Sequence, residues 1–195
     1  RLPAALFALL LVTAPSIGPI LSGAISYPGS TAQQLHHAMY IGCDRQCLDE
    51  LNKIDAESPK LAAVRDYTTA LATARQTGQE DLERARTILA DRNDWPQRVR
   101  PWATHLKAVI DAAQGRLKSA SQTFDTLRTD LNGEFALHFN RMKTLRRLGK
   151  TEQASAAHDR AATIDKAALD RRSTLGAPDV NSQLVLPALP QDVVW

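Results

Sequence analysis

Hydrophobic residues between positions 59 and 168 recur every three or four residues, which is the period of an α-helix with one buried face. Three such stripes consist of Leu106, Val109, Ile110 and Ala113; of Leu117, Ala120, Phe124, Leu127 and Leu131; and of Phe135, Phe139, Met142 and Leu145. Composition agrees, because Ala (30) and Leu (25) far outnumber Val (8) and Ile (8), and unbranched side chains favour helix over strand. We predict an all-α fold and expect the aromatic and methionine side chains of these stripes to form its core rather than a cofactor site.

Glycine and proline mark where the predicted helices begin and end. Ser58 followed by Pro59 is a helix start, with Ser as the N-cap, and Gly78 stops the helix that this pair opens near residue 77. Further helices are predicted at about 79–90, from Pro96 or Pro101 to Gly115, at 117–131, from 133 to Gly149, and at about 151–168. Helices of this length separated by short turns are expected to pack as antiparallel pairs.

The sequence is similar to itself at a period of 34 residues. Gly115 and Gly149 are 34 positions apart, as are Ala120 and Ala154. The same register is present upstream at Gly42 and, with two inserted residues, at 77–90. A fixed period of this size is typical of repeat proteins, in which each repeat buries its apolar face only against its neighbours. Four helix pairs are therefore predicted.

The repeats resemble the tetratricopeptide repeat (TPR) family over about residues 31 to 168. The family motif places a small residue five positions after a turn glycine, a large apolar residue four positions further on and a closing proline. The matching residues are Gly42 with Cys47, Gly115 with Ala120, Gly149 with Ala154, then Leu51, Leu89 and Phe124, and finally Pro59 and Pro96. The family's Trp and Tyr of the first helix have no counterparts, and His158 stands at an apolar position. The resemblance implies a right-handed α-solenoid that binds proteins.

The N-terminal segment is of a different kind, since it has no charged residue between Leu2 and Cys43. As a transmembrane helix, residues 4–25 would rise about 33 Å, enough to cross a hydrocarbon core of about 30 Å. As a signal peptide, the same residues would provide a short apolar region, helix-breaking prolines and a cleavage site near Ala24. We favour the retained anchor. Because Arg1 precedes the segment, we expect the rest of the chain on the periplasmic side of a bacterial inner membrane, either anchored or exported there.

The two cysteines, Cys43 and Cys47, are spaced to share one face of a helix. In an oxidising compartment a disulfide between them is the favoured interpretation, and two small buried thiols are the alternative. His36 and His37 precede them, but the spacing matches neither a paired zinc motif nor a haem attachment site. Metal binding is therefore only a weak prediction.

Catalytic motifs are absent from the sequence: it contains no nucleophile elbow, phosphate loop, paired metal motif or dinucleotide fingerprint. We predict no enzyme activity and no cofactor. His105, His138 and His158 fall on different predicted helices, and we expect surface or interhelical hydrogen bonds from each rather than acid–base catalysis.

Basic residues cluster at the end of the predicted helix that stops at Gly149, where we expect Arg146, Arg147 and Lys150 to contact a partner. The net charge is only +3, and acidic residues are interspersed elsewhere, so nucleic acid is disfavoured relative to a solvated face or an acidic protein partner. Anionic lipid headgroups are a further alternative.

The C-terminal tail, residues 176–195, contains three prolines and no Lys or Arg. It cannot continue as a helix. Its apolar content favours an extended arm, laid on another subunit or back on the repeats, over a disordered tail. The apolar residues expected to contact a partner are Leu184, Leu186, Leu189, Val194 and Trp195.

These features divide the chain into four parts: an anchor or signal (1–25), a degenerate helix pair with the cysteines (26–58), TPR-like repeats (59–175) and the tail (176–195). We predict a non-catalytic accessory or scaffolding subunit of a membrane-associated protein complex. By analogy of fold alone, a respiratory or dehydrogenase-type complex is favoured over secretion machines and envelope assembly factors. The alternative is a periplasmic redox or metal-binding protein that uses Cys43 and Cys47 with His36 and His37.

Overall fold

The fold was obtained as a computed structural model, which describes residues 35, 38–39, 45–56, 58–76, 78–174, 184–190 and 193. These residues form helices and connecting turns, with no strand among them, so the all-α prediction is confirmed for this part of the chain. The helices are α1 (Arg45–Lys53), α2 (Pro59–Ala74), α3 (Gln79–Asp91), α4 (Arg100–Ala113), α5 (Leu117–Thr126), α6 (Phe135–Arg147) and α7 (Thr151–Thr174). Leu35, Ala38 and Met39 are also helical.

The helices pack as three successive hairpins, α2 with α3, α4 with α5, and α6 with α7. Each hairpin also contacts the next, and the first helices α2, α4 and α6 contact one another in that order. The fold therefore has one face built from the first helices of the hairpins, which we call the inner face.

The predicted repeat has a structural counterpart in two turns 34 residues apart. Gly115 and Gly149 have positive φ angles of 83° and 72° and follow the ends of α4 and α6. In each turn the residue after the glycine donates its N–H to a carbonyl five residues earlier, at 2.8 Å after α4 and 2.9 Å after α6. This is the Schellman arrangement, which favours glycine because the left-handed conformation disfavours a Cβ.

Most helix boundaries agree with the sequence patterns, but α5 ends at Thr126 and not near residue 131 as predicted, so Leu127 and Leu131 lie in the turn that follows it. Ser58 caps α2 by accepting a hydrogen bond from the N–H of Leu61 at 3.2 Å, and Pro59 occupies the first turn. The last helix is longer than predicted and reaches Thr174, with a break at Asp165. The Asp165 carboxylate accepts the N–H of Ala168 at 2.8 Å, so it caps the second part of α7 in the way an N-cap residue does.

Two groups of buried apolar residues form the core. The larger group contains residues from Leu35 to Leu137 together with Leu189 and Val193 of the tail, and the smaller one joins α6 and α7 around Phe139, Met142 and Leu145. Ala120 and Ala154, the small residues of the repeat, are buried, as is Phe124. The expectation that the aromatic and methionine side chains of the stripes are core residues is confirmed for Phe124, Phe139 and Met142.

Candidate functional site

Residues 184–190 form an extended segment that crosses the inner face, and we call this segment the arm. From Leu186 to Pro190 burial alternates: Pro187 and Leu189 are buried, whereas Leu186, Ala188 and Pro190 are half-buried. The two residues upstream, Leu184 and Val185, are both half-buried. Burial that alternates with period two is the property of an extended chain with one side on a surface. The arm therefore lies against the helical hairpins of its own chain, which was one of the two docked positions expected from the sequence.

Asn140 on α6 holds the upstream end of the arm. Its side chain is fully buried, and its Oδ1 accepts the N–H of Val185 at 2.7 Å while its Nδ2 donates to the carbonyl of Val185 at 2.7 Å. One amide thus pairs with both main-chain groups of one residue, as a neighbouring strand would. The pairing fixes the position of Val185 through its main chain alone and does not depend on which side chain this residue has.

Two further contacts hold the downstream end. The hydroxyl of Tyr67, a fully buried residue on α2, donates to the carbonyl of Pro187 at 2.6 Å. The N–H of Leu189 points to the sulfur of Met39 at 3.3 Å. The arm consequently runs from the third hairpin back to the first, against the order of the repeats.

His105 on α4 lies beneath the Asn140 contact and is completely buried. Its Nε2 is 3.4 Å from Nδ2 of Asn140, and because an amide nitrogen can only donate, Nε2 accepts and the ring proton resides on Nδ1. Nδ1 has no hydrogen-bond partner among the described residues. Burial, with a smaller contribution from His138, lowers the pKa of His105 from 6.5 to about 3, so the ring is neutral near pH 7.

The other two histidines of the described residues, His138 and His158, occupy separate environments. The Nε2 of His138 is 3.0 Å from the carbonyl of Asn132, and desolvation lowers the pKa of His138. His158 is partly exposed, with Nδ1 3.2 Å from the Asp159 carboxylate. The described residues contain no cluster of three or more His, Cys, Asp or Glu side chains that could hold a metal ion.

The predicted basic cluster is at the end of α6 and in the turn after it. Arg146, Arg147 and Lys150 are exposed residues. One guanidinium nitrogen of Arg147 nevertheless donates to the carbonyl of Ala112 at 2.7 Å, which links the third hairpin to the second. Arg146 and Lys150 are therefore the better placed of the three to meet a partner.

The predicted apolar contacts of the tail divide between described and undescribed residues. Leu184 and Leu186 are half-buried against the larger core group, and Leu189 is completely buried within the chain. Val194 and Trp195 lie outside the described residues.

The cysteine prediction also falls outside the described part. Cys43, His36 and His37 are not described, and Cys47 lies in α1 but its side chain is not described. The disulfide and the weak metal site therefore stay predictions.

Sequence reasoning missed Asn140, Tyr67 and His105 as site residues. The available signal was a polar side chain close to an apolar stripe, since Asn140 directly follows Phe139 and His105 directly precedes Leu106. That pattern does not distinguish a buried polar residue from one at the edge of the stripe.

A concavity of about 450 Å³ elsewhere on the surface is lined by residues of the first hairpin, α1 and the turn after α3. Its arginine already pairs with two of its three carboxylates: the Arg92 guanidinium is 2.7 Å from Asp66 and 3.2 Å from Asp94. This arrangement is that of a structural ion pair, so the inner face is the stronger candidate site.

No family model, no curated protein and no solved structure matches this chain. Within the described residues, no helix is both long enough and apolar enough to cross a membrane. The predicted anchor at residues 4–25 lies outside the described residues.

Proposed function

We propose that this chain is a non-catalytic subunit that binds other proteins through the inner face of its helical hairpins. The observation that supports the proposal is the paired contact between Asn140 and the main chain of Val185, at 2.7 Å in both directions. A buried amide that pairs with a main-chain N–H and carbonyl is a means of holding an extended polypeptide. The inner face thus has the chemistry of a peptide-binding surface.

The surroundings of this contact favour binding over catalysis. The arm lies on apolar side chains, and the hydroxyl of Tyr67 is committed to the Pro187 carbonyl at 2.6 Å. His105 is neutral and fully buried, whereas a general base must reach the proton that it removes. The proposed role is therefore to position proteins relative to one another.

The proposed setting is a membrane-associated complex, with the repeats on the periplasmic side and a respiratory or dehydrogenase-type assembly favoured. The uncharged N-terminal segment and the resemblance to TPR proteins support this setting. Arg146 and Lys150, which are exposed at the end of the third hairpin, provide a second contact region for an acidic partner surface.

The test is purification of the full chain from its native membranes in mild detergent, followed by cross-linking and mass spectrometry of the co-eluting proteins. We expect a stoichiometric partner whose cross-links map to the inner face. The Asn140→Leu variant should lose that partner, and Gln122→Leu, a similar exchange at an exposed site on α5, should keep it. A monodisperse monomer without a partner, or equal retention by both folded variants, would refute the proposal.

A further inference from the structure

The arm meets the inner face in a regular pattern. Main-chain atoms of Val185, Pro187 and Leu189 make the hydrogen bonds described above. These are alternate residues, which point the same way in an extended chain. The inner face therefore hydrogen-bonds the main chain of the arm at every second residue, while Leu184, Leu186 and Ala188 pack on its apolar side chains.

The hydrogen bonds between the inner face and the arm depend little on the sequence of the arm. The contacts at Val185 and Pro187 use main-chain groups, and at Pro187 only the carbonyl is required, so proline is tolerated although it has no N–H. Leu189 is completely buried, and Pro187 is also buried. Residues 184–190 carry no charge, and a charged residue on this apolar face would lose its hydration without compensation.

We propose that the arm is an internal ligand that blocks the partner site of its own chain. The partner contributes an uncharged, extended, apolar segment with a large aliphatic residue four positions after the residue that pairs with Asn140. This inference rests on the proposed function, because it assumes that the inner face is the binding site. The arm and the partner segment need the same hydrogen-bonding groups, so they exclude each other.

Covalent attachment gives the arm an advantage over a segment from another molecule. A tethered ligand acts at an effective concentration on the order of millimolar when its connection is short, and residues 175–183 connect α7 to the arm. If the arm itself has micromolar intrinsic affinity, this effective concentration exceeds its dissociation constant by about a thousandfold, so an untethered segment would bind the blocked site well over tenfold more weakly than the open one. Partner binding is thereby limited to cases in which the arm has been displaced.

The experiment measures binding of a fluorescent synthetic peptide of residues 182–191 to the full chain by fluorescence polarisation. Two variants release the arm without altering the inner face. Val185→Pro removes the N–H that Asn140 accepts, and Leu189→Asp places a charge at a completely buried site. Gln122→Asp adds the same charge at an exposed position on α5 and serves as the control, and circular dichroism verifies that each protein is folded.

We expect both release variants to bind the peptide at least about tenfold more tightly than the wild type and the Gln122→Asp control. A peptide that carries Asp at the Leu189 position should not bind any of the proteins. If the release variants and the wild type all bind the peptide with the same affinity, internal blocking is refuted while the proposed function stands. If neither folded release variant binds it, the inner face does not accept a peptide and both proposals fail.

A second copy of the chain is the other source of the same segment. Gel filtration distinguishes an arm exchanged between two copies from an arm docked on its own chain. Exchange predicts that the wild type is a dimer and that Val185→Pro converts it to a monomer. That outcome would also refute blocking within one chain.

Discussion

Replacing His105 with leucine should change how the stability of the protein depends on pH. His105 is completely buried, its ring packs edge-on against Phe124 with centroids 5.8 Å apart, and desolvation lowers its pKa from 6.5 to about 3. The unfolded chain takes up a proton at this ring near pH 6.5, but the folded protein does so only near pH 3. Stability is therefore fully present above pH 6.5 and is lost as the pH falls from 6.5 towards 3.

The expected magnitude follows from the two pKa values. At pH 5 the unfolded ring is protonated and the folded ring is not, over an interval of about 1.5 pH units at about 1.4 kcal/mol each. The wild type should therefore lose about 2 kcal/mol of unfolding free energy through His105 between pH 7.5 and pH 5. The His105→Leu variant should not show this loss.

Urea denaturation of both proteins at pH 7.5 and pH 5 measures the effect. The pKa of His138 is also lowered, but this group is present in both proteins, so its contribution cancels in the comparison. The informative quantity is the difference between the two pH-induced losses, because the substitution also changes packing at every pH. Parallel losses in the two proteins would show that His105 is hydrated or paired in the folded state and would refute the reasoning.

Three further predictions concern stability, measured by urea denaturation. Asn140→Leu should cost about 1–3 kcal/mol, because it removes two hydrogen bonds to Val185; no change would mean that the arm is not held in solution. Gly149→Ala should lower the free energy of unfolding by about 1 kcal/mol, because Gly149 has a φ of 72°. Gly133→Ala is the control and should lower it less, since a Cβ has open space at both positions but Gly133 has no positive φ; equal losses would contradict this explanation. Asp111→Asn should lower the free energy of unfolding by about 1–2 kcal/mol, because Asp111 pairs with two arginines. The loss should be smaller at high salt, which screens these pairs; a loss that does not depend on salt would exclude an ionic origin.

The hairpins could be predicted because their signals are local. Ser58 and Pro59 define the start of α2 through a hydrogen bond that spans three residues, and Gly115 and Gly149 define turns whose hydrogen bonds span five. The end of α7 was harder to predict, since Asp165 interrupts that helix and also caps its continuation. A residue that both breaks and restarts a helix has no distinctive pattern.

The inner-face site could be predicted only in part. The apolar content and the prolines of residues 184–190 indicated an extended arm, but they did not indicate where the arm would lie. Tyr67 and Pro187 are 120 residues apart, and Asn140 and Val185 are 45 apart. Contacts at such separations depend on how three hairpins stack, which no local pattern contains.

The sequence by itself determined the helices, their turns and the 34-residue repeat of a glycine and an alanine, because helical periodicity, capping and left-handed turns depend on neighbouring residues. Only the tertiary structure decided that α2, α4 and α6 form one face, that Asn140 and His105 are buried under the arm, and that the arm covers that face. The physical reason is that burial of a polar side chain is favourable only where a distant part of the chain supplies its hydrogen-bond partner.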